Sequence, residues 1–191
     1  MGPNELWVLD EEFVHFEGCT DLPLDQIVDA NGNKLLHPIS PEVLRTYGIK
    51  PGRRPNIFLY LGEAQCILIE LKEPEVDLSE YLNQLPRYCS LIGNFAVEPI
   101  TPFYCYLIGK TINHIAVAGE HRINVHGDWV KRVDYAVMRH EAGRQDEEIG
   151  KAQIAIIKLS SLRERALRRN KSFADRLGIG LDAREMELEK K

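Results

Sequence analysis

Glu70 and Lys72 close an apolar run, Cys66-Ile67-Leu68-Ile69, in which an unpaired charge would cost heavily. Residues i and i+2 of a strand share a face, so the carboxylate and the ammonium are neighbours while Leu71 faces the other way. Alone, such a pair reads as a partly exposed cross-face ion pair. Asn56 and the Gln84-x-x-x-Tyr88 element add polar groups at telling positions. If Gly62 to Ala64 form a three-residue hairpin loop, Leu61 pairs with Gln65, and counting back pairs Asn56 with Glu70. Asn56, Glu70 and Lys72 then converge on one patch, although a slip of one residue would turn Asn56 away. Gln84 and Tyr88 lie one helical turn apart on the following element.

The elements that must position these groups follow from periodicity and capping signals. A helix is expected over Trp7 to Phe16, with Leu6, Leu9, Phe13 and Phe16 on one side. Gly18 to Pro41 reads as loop, and Ser40 before Pro41 starts a short helix. Strands are expected at Ile57–Leu61 and Cys66–Lys72, followed by a helix over Asp77 to Ile92 opened by Asp77 and Glu80. Pro86 fits poorly inside that helix. Further strands are expected at Phe103–Ile108, His114–Val117, Val133–Met138 and Ile154–Leu159. A last helix is expected over Leu162 to Leu177, capped by Ser160 or Ser161 and ended by Gly178. This order predicts an α/β fold, a mixed β-sheet flanked by helices, in one domain over residues 1–191.

Composition narrows the class. With 44% apolar and 28% charged residues the chain matches globular usage, which argues against wholesale disorder. No apolar run approaches a membrane span, and MGPNELWVLDEEF has no basic region leading into an apolar one. No membrane association and a cytoplasmic location are therefore expected. Cys19, Cys66, Cys89 and Cys105 are scattered, which suits buried reduced thiols better than zinc. His121, His126 and His140 read as surface loop residues, and Trp7 and Trp129 as core or rim aromatics. The net charge of -5 hides a basic run from Lys158 to Arg176 that includes Arg163, Arg165, Arg168, Arg169 and Lys171. It suits either a solvated helix face or a phosphate-contacting one.

R-R-P-N-I-F opening the first strand, I-E-L-K closing the second, Q-L-P-R-Y on the next helix and the basic C-terminal helix together resemble the PD-(D/E)XK nuclease superfamily. The fold implied is restriction-endonuclease-like, and Gln84-x-x-x-Tyr88 resembles its RecB-type branch. LWVLDEEF and LRERALRRNKSFADRLG are similar to nuclease domains of bacterial antiphage proteins, such as Shedu-like proteins and domains attached to Hsp90-like ATPases. The resemblance implies a metal-dependent endonuclease acting on DNA in antiviral defence. It also leaves room for a homo-oligomer, and for an effector domain that works with an ATPase or sensor module.

The implied site follows residue by residue. Glu70, the Leu71 carbonyl and the first-strand residue Asn56 would hold Mg²⁺ or Mn²⁺, and Lys72 would be the catalytic cation beside the phosphate. Gln84 and Tyr88 would support the site or contact the nucleic-acid backbone, with Arg165, Arg168 and Arg169 as further phosphate contacts. Glu12 would be an outer-shell acid. Asn56 departs from the family, which has an acid there. The alternatives are weak metal binding, compensation by Glu63 or Glu12, or a catalytically inactive module that binds nucleic acid or mediates assembly. An Asp→Asn exchange made to trap the protein would read the same way.

Overall fold

The computed structural model describes residues 18–20, 22–29, 31–50, 55–61, 65–137 and 148–177. Among the described residues seven strands form one mixed sheet, flanked by helices, in the order β1-β2-β3-β4-β7-β6-β5. β2 (Ile57–Leu61) runs antiparallel to both of its neighbours, β1 (Gly18–Thr20) and β3 (Gln65–Leu71). β4 (Phe103–Gly109) and β7 (Glu148–Lys158) then run parallel to β3. β6 (Trp129–Val137) and the two-residue β5 (Arg122–Ile123) complete the far side as antiparallel strands.

The hairpin register is the counted one, with Leu61 opposite Gln65 and Ile57 opposite Ile69. β3 is buried over nearly its whole length because neighbours flank it on both sides and helices or loops cover its faces. Strict alternation splits the core. Cys66, Leu68, Cys105, Leu107, Ile154 and Ile156 face α2 (Gln84–Phe95), where Leu85, Tyr88, Cys89 and Ile92 meet them. Ile67, Ile69, Ile108, Ala155 and Ile157 face the opposite side, where Leu162 of α4 (Leu159–Leu177) packs. Cys66, Cys89 and Cys105 are buried free thiols, and Cys89 Sγ lies 3.3 Å from Cys105 Sγ.

Several local expectations hold. α1 (Pro41–Thr46) starts with Pro41 at its first position, and Ser40 Oγ accepts from the Val43 N–H. Others need correction. The helix expected over Asp77 to Ile92 is two pieces, a 3-10 turn at Leu78–Tyr81 and then α2. The break removes the difficulty with Pro86, which falls in the first turn of α2, where its missing N–H costs nothing.

His114–Val117 is not a strand. It lies in α3 (His114–Ala118), nucleated by Asn113 Oδ1 accepting from the Ile115 N–H. α4 starts at Leu159, so Ser160 and Ser161 lie inside it and not at its cap. His121 is no surface residue. It is 7% exposed, and Nδ1 lies 3.2 Å from the Val117 carbonyl oxygen. The segments Trp7 to Phe16 and Gly178, along with His140, lie outside the described residues. Among the described residues no helix is long and apolar enough to cross a membrane.

Candidate functional site

β3 delivers Glu70 to the α2 face, in register with Leu107 and two residues beyond the buried Leu68. The chain keeps its strand path one residue further, because the Lys72 N–H donates to the Ile108 carbonyl at 2.9 Å. Lys72 therefore points to the same side. Its ammonium donates to Glu70 Oε2 at 3.0 Å and to Gln84 Oε1 at 2.7 Å, and lies 4.3 Å from the centre of the Tyr81 ring. The two charged side chains are only 3% and 10% exposed. Burying such a pair costs several kcal/mol, offset only when geometry and extra hydrogen bonds are good. Gln84 and the face of Tyr81 supply that compensation.

Gln84 can reach Lys72 because the break after Tyr81 lets α2 begin at Gln84 itself. With its oxygen on Lys72, its Nε2 faces the Tyr88 hydroxyl at 3.5 Å, one turn along the helix. Tyr88 is 1% exposed. Its hydroxyl therefore meets Gln84 from the buried side of the helix. Tyr81 was not singled out in the sequence because a continuous helix from Asp77 gave it no special position.

Asn56 is where the register places it, beside the end of β3, but its oxygen has a task. Asn56 Oδ1 accepts the Leu71 N–H at 2.8 Å, which locks the end of the hairpin. Leu71 is 49% exposed, so the backbone beside it lies near solvent. Glu12 and Glu63 lie outside the described residues.

A second missed residue is Asp77. Its Oδ1 accepts from the Ser79 N–H at 2.8 Å and the Asn113 N–H at 3.1 Å, tying the segment after β3 to the loop after β4. Those hydrogen bonds, the Ser79 backbone bond first, hold its carboxyl below the usual range. The Leu78 N–H adds a 2.9 Å bond to the Thr111 carbonyl. The acid at a helix-opening position was the available signal.

The basic helix does not join this patch. Through Leu162 its start rests on the opposite face of the sheet. Arg165, expected among the phosphate contacts, has its guanidinium on Asp128, Ser161 Oγ and the His126 carbonyl. Its side chain is 13% exposed and that of Asp128 is 4% exposed. Asp128 is itself held by Asn124, whose side-chain oxygen accepts from the His126 and Asp128 N–H groups. Arg165 thus fastens α4 to the β5–β6 turn. Arg168 is exposed, with Nε 3.4 Å from the Glu164 carbonyl, and the Arg169 side chain lies outside what is described.

Among the described residues no group of three or more His, Cys, Asp or Glu side chains converges as a metal cage. Mg²⁺ asks for less. It is held by one or two carboxylates, retained waters and substrate phosphate oxygens. Glu70, the Leu71 carbonyl and Asn56 Oδ1, which keeps a second lone pair, are the oxygens at this strand end that could hold such an ion.

Comparison with protein-family models, characterised proteins and solved structures finds no match to this chain.

Proposed function

We propose that this is a nuclease domain of restriction-endonuclease-like type that hydrolyses phosphodiester bonds in DNA, serving in the cytoplasm as an antiphage effector. The observation that carries the reading is the Lys72 ammonium held between Glu70 and Gln84 at the end of a central strand. Glu70, the Leu71 carbonyl and Asn56 would hold Mg²⁺ or Mn²⁺, which when bound supplies a nucleophilic water at neutral pH and offsets phosphoryl charge. Lys72 turns its remaining N–H toward a phosphate oxygen and stabilises the charge that develops there. Gln84 keeps the ammonium from swinging out, and Tyr88 keeps Gln84 in place.

A second reading is favoured by Asn56. With its oxygen on the Leu71 N–H and no negative charge of its own, the domain would bind nucleic acid without cleaving it.

The test is cleavage of linear and supercoiled DNA with Mg²⁺ and Mn²⁺, comparing the protein with Glu70→Gln and Lys72→Met. These replacements keep side-chain bulk in a buried site. Each single change strands a buried charge or amide and should cost stability, about 3–5 kcal/mol at most. The double variant should recover much of that loss while staying inactive. Cleavage by the folded double variant at the parent rate would remove Glu70 and Lys72 from the reaction and with them the observation that carries this reading. Binding without cleavage by the parent would select the second reading.

A further inference from the structure

Lys158 was singled out as part of the basic run, but the fold separates it from the other members. Lys72 extends β3 to the level of Gly109, and Gly109 pairs with Lys158 at the end of β7. Alternation along β7 (Ala152, Ile154, Ile156) puts Lys158 on the same face as Lys72. The two lysines stand in one row, two strand spacings or roughly 10 Å apart. Gly109 stands between them and lets Leu78 pack over the strand. A Cβ there would come within 2.6 Å of Leu78 Cδ2, so Leu78 fills the space over it.

Lys158 Nζ lies 3.0 Å from His114 Nε2, and the His114 ring packs on Trp129 with centroids 5.8 Å apart. The loop that presents His114 is anchored through the Asn113 N–H to Asp77. A placed lysine donating to a placed imidazole is a costly way to decorate a surface, since both side chains give up conformational freedom. Lys72, Lys131 and Arg165 each have a carboxylate partner. Among the described residues, neither Lys158 nor His114 has one. A partly exposed cation without a counter-anion, level with a proposed phosphate-cleaving site, matches an anionic ligand that spans both positions.

We propose that Lys158 and His114 form a second phosphate-binding position, which takes a neighbouring phosphodiester of the same DNA while Lys72 faces the scissile one. This rests on the nuclease reading of the Glu70–Lys72 site. Lysine serves as a point charge, and His114, accepting from it at Nε2, orients it and keeps its own ring N–H on Nδ1.

The test is equilibrium binding of a fluorescein-labelled DNA duplex, and of one of its strands, in EDTA across a salt series. Lys158→Ala and His114→Ala should each weaken binding by about three- to tenfold, the range of a modest charge-assisted contact. Lys158→Ala should also make the log K against log salt slope shallower by roughly one. Lys158→Arg should bind like the parent. Lys151→Ala removes the same charge from the other end of β7, and it should leave binding unchanged. Parent-like binding by both alanine variants, with Lys72→Met weakened, overturns the second position and leaves the nuclease reading standing. An equal loss in Lys151→Ala reduces the effect to long-range charge and also overturns it. A parent protein that binds neither probe removes the nuclease reading itself.

Discussion

The Lys72 ammonium sits 2.7 Å from Gln84 Oε1, closer than its 3.0 Å approach to Glu70. A neutral helix residue therefore makes the shorter bond to the cation that a strand supplies. In the proposed nuclease Gln84 would act through Lys72, as a positioning residue.

Gln84→Leu should leave the domain folded, because the side chain is half-buried beside an apolar stripe. If the proposed nuclease reading holds, it should lower kcat by about tenfold or more while changing KM little, since the interaction would steer a group used in the transition state. Steady-state cleavage kinetics test this. A rise in KM alone would mean that Gln84 contacts substrate directly.

Asn56→Asp should raise Mg²⁺ affinity, measured by calorimetry. One carboxylate oxygen can keep the Leu71 N–H, and the other is free for the ion. Cleavage should rise with affinity. Stronger metal binding without cleavage would indicate a binding module lacking more than one catalytic feature. No gain in metal binding would place residue 56 out of reach of the ion.

Arg165→Met should lower stability by about 3 kcal/mol, because Asp128 is then left buried without its cation. Arg168→Ala should be nearly neutral, since that side chain is exposed. Urea denaturation separates the two. Equal effects would mean that Arg165 does not fasten α4 to the sheet.

Acid should weaken the fold partly through His121. Burial, opposed by the Val117 carbonyl contact, holds its imidazole below the ordinary histidine value of 6.5. The unfolded chain therefore binds the extra proton first as pH falls. The contribution is complete above 6.5 and is lost progressively as pH drops through the folded value. Thermal midpoints measured between neutral and mildly acidic pH should fall less steeply in His121→Gln. Identical slopes would remove His121 from the pH response.

The sequence alone was enough for the hairpin of β2 and β3, whose loop length and apolar alternation set Leu61 against Gln65. It was also enough for the shared face of Glu70 and Lys72 and for the α1 start at Ser40-Pro41, because all of these depend on neighbours a few residues away. Tertiary structure decided the rest. Asp77 caps a separate 3-10 turn and is tied by a long-range bond to Asn113, so the segment before Gln84 follows a tertiary contact and not the continuous helical pattern. His114 becomes helical through its Asn113 cap, although the run His-Ile-Ala-Val carries apolar residues that also suit a strand. Arg165 and Lys158 lie on one basic run, yet one is buried on Asp128 and the other reaches the row of Lys72. Their fates differ because strand order and the side from which α4 leaves β7 are properties of the whole sheet. Charge spacing along one segment cannot encode them.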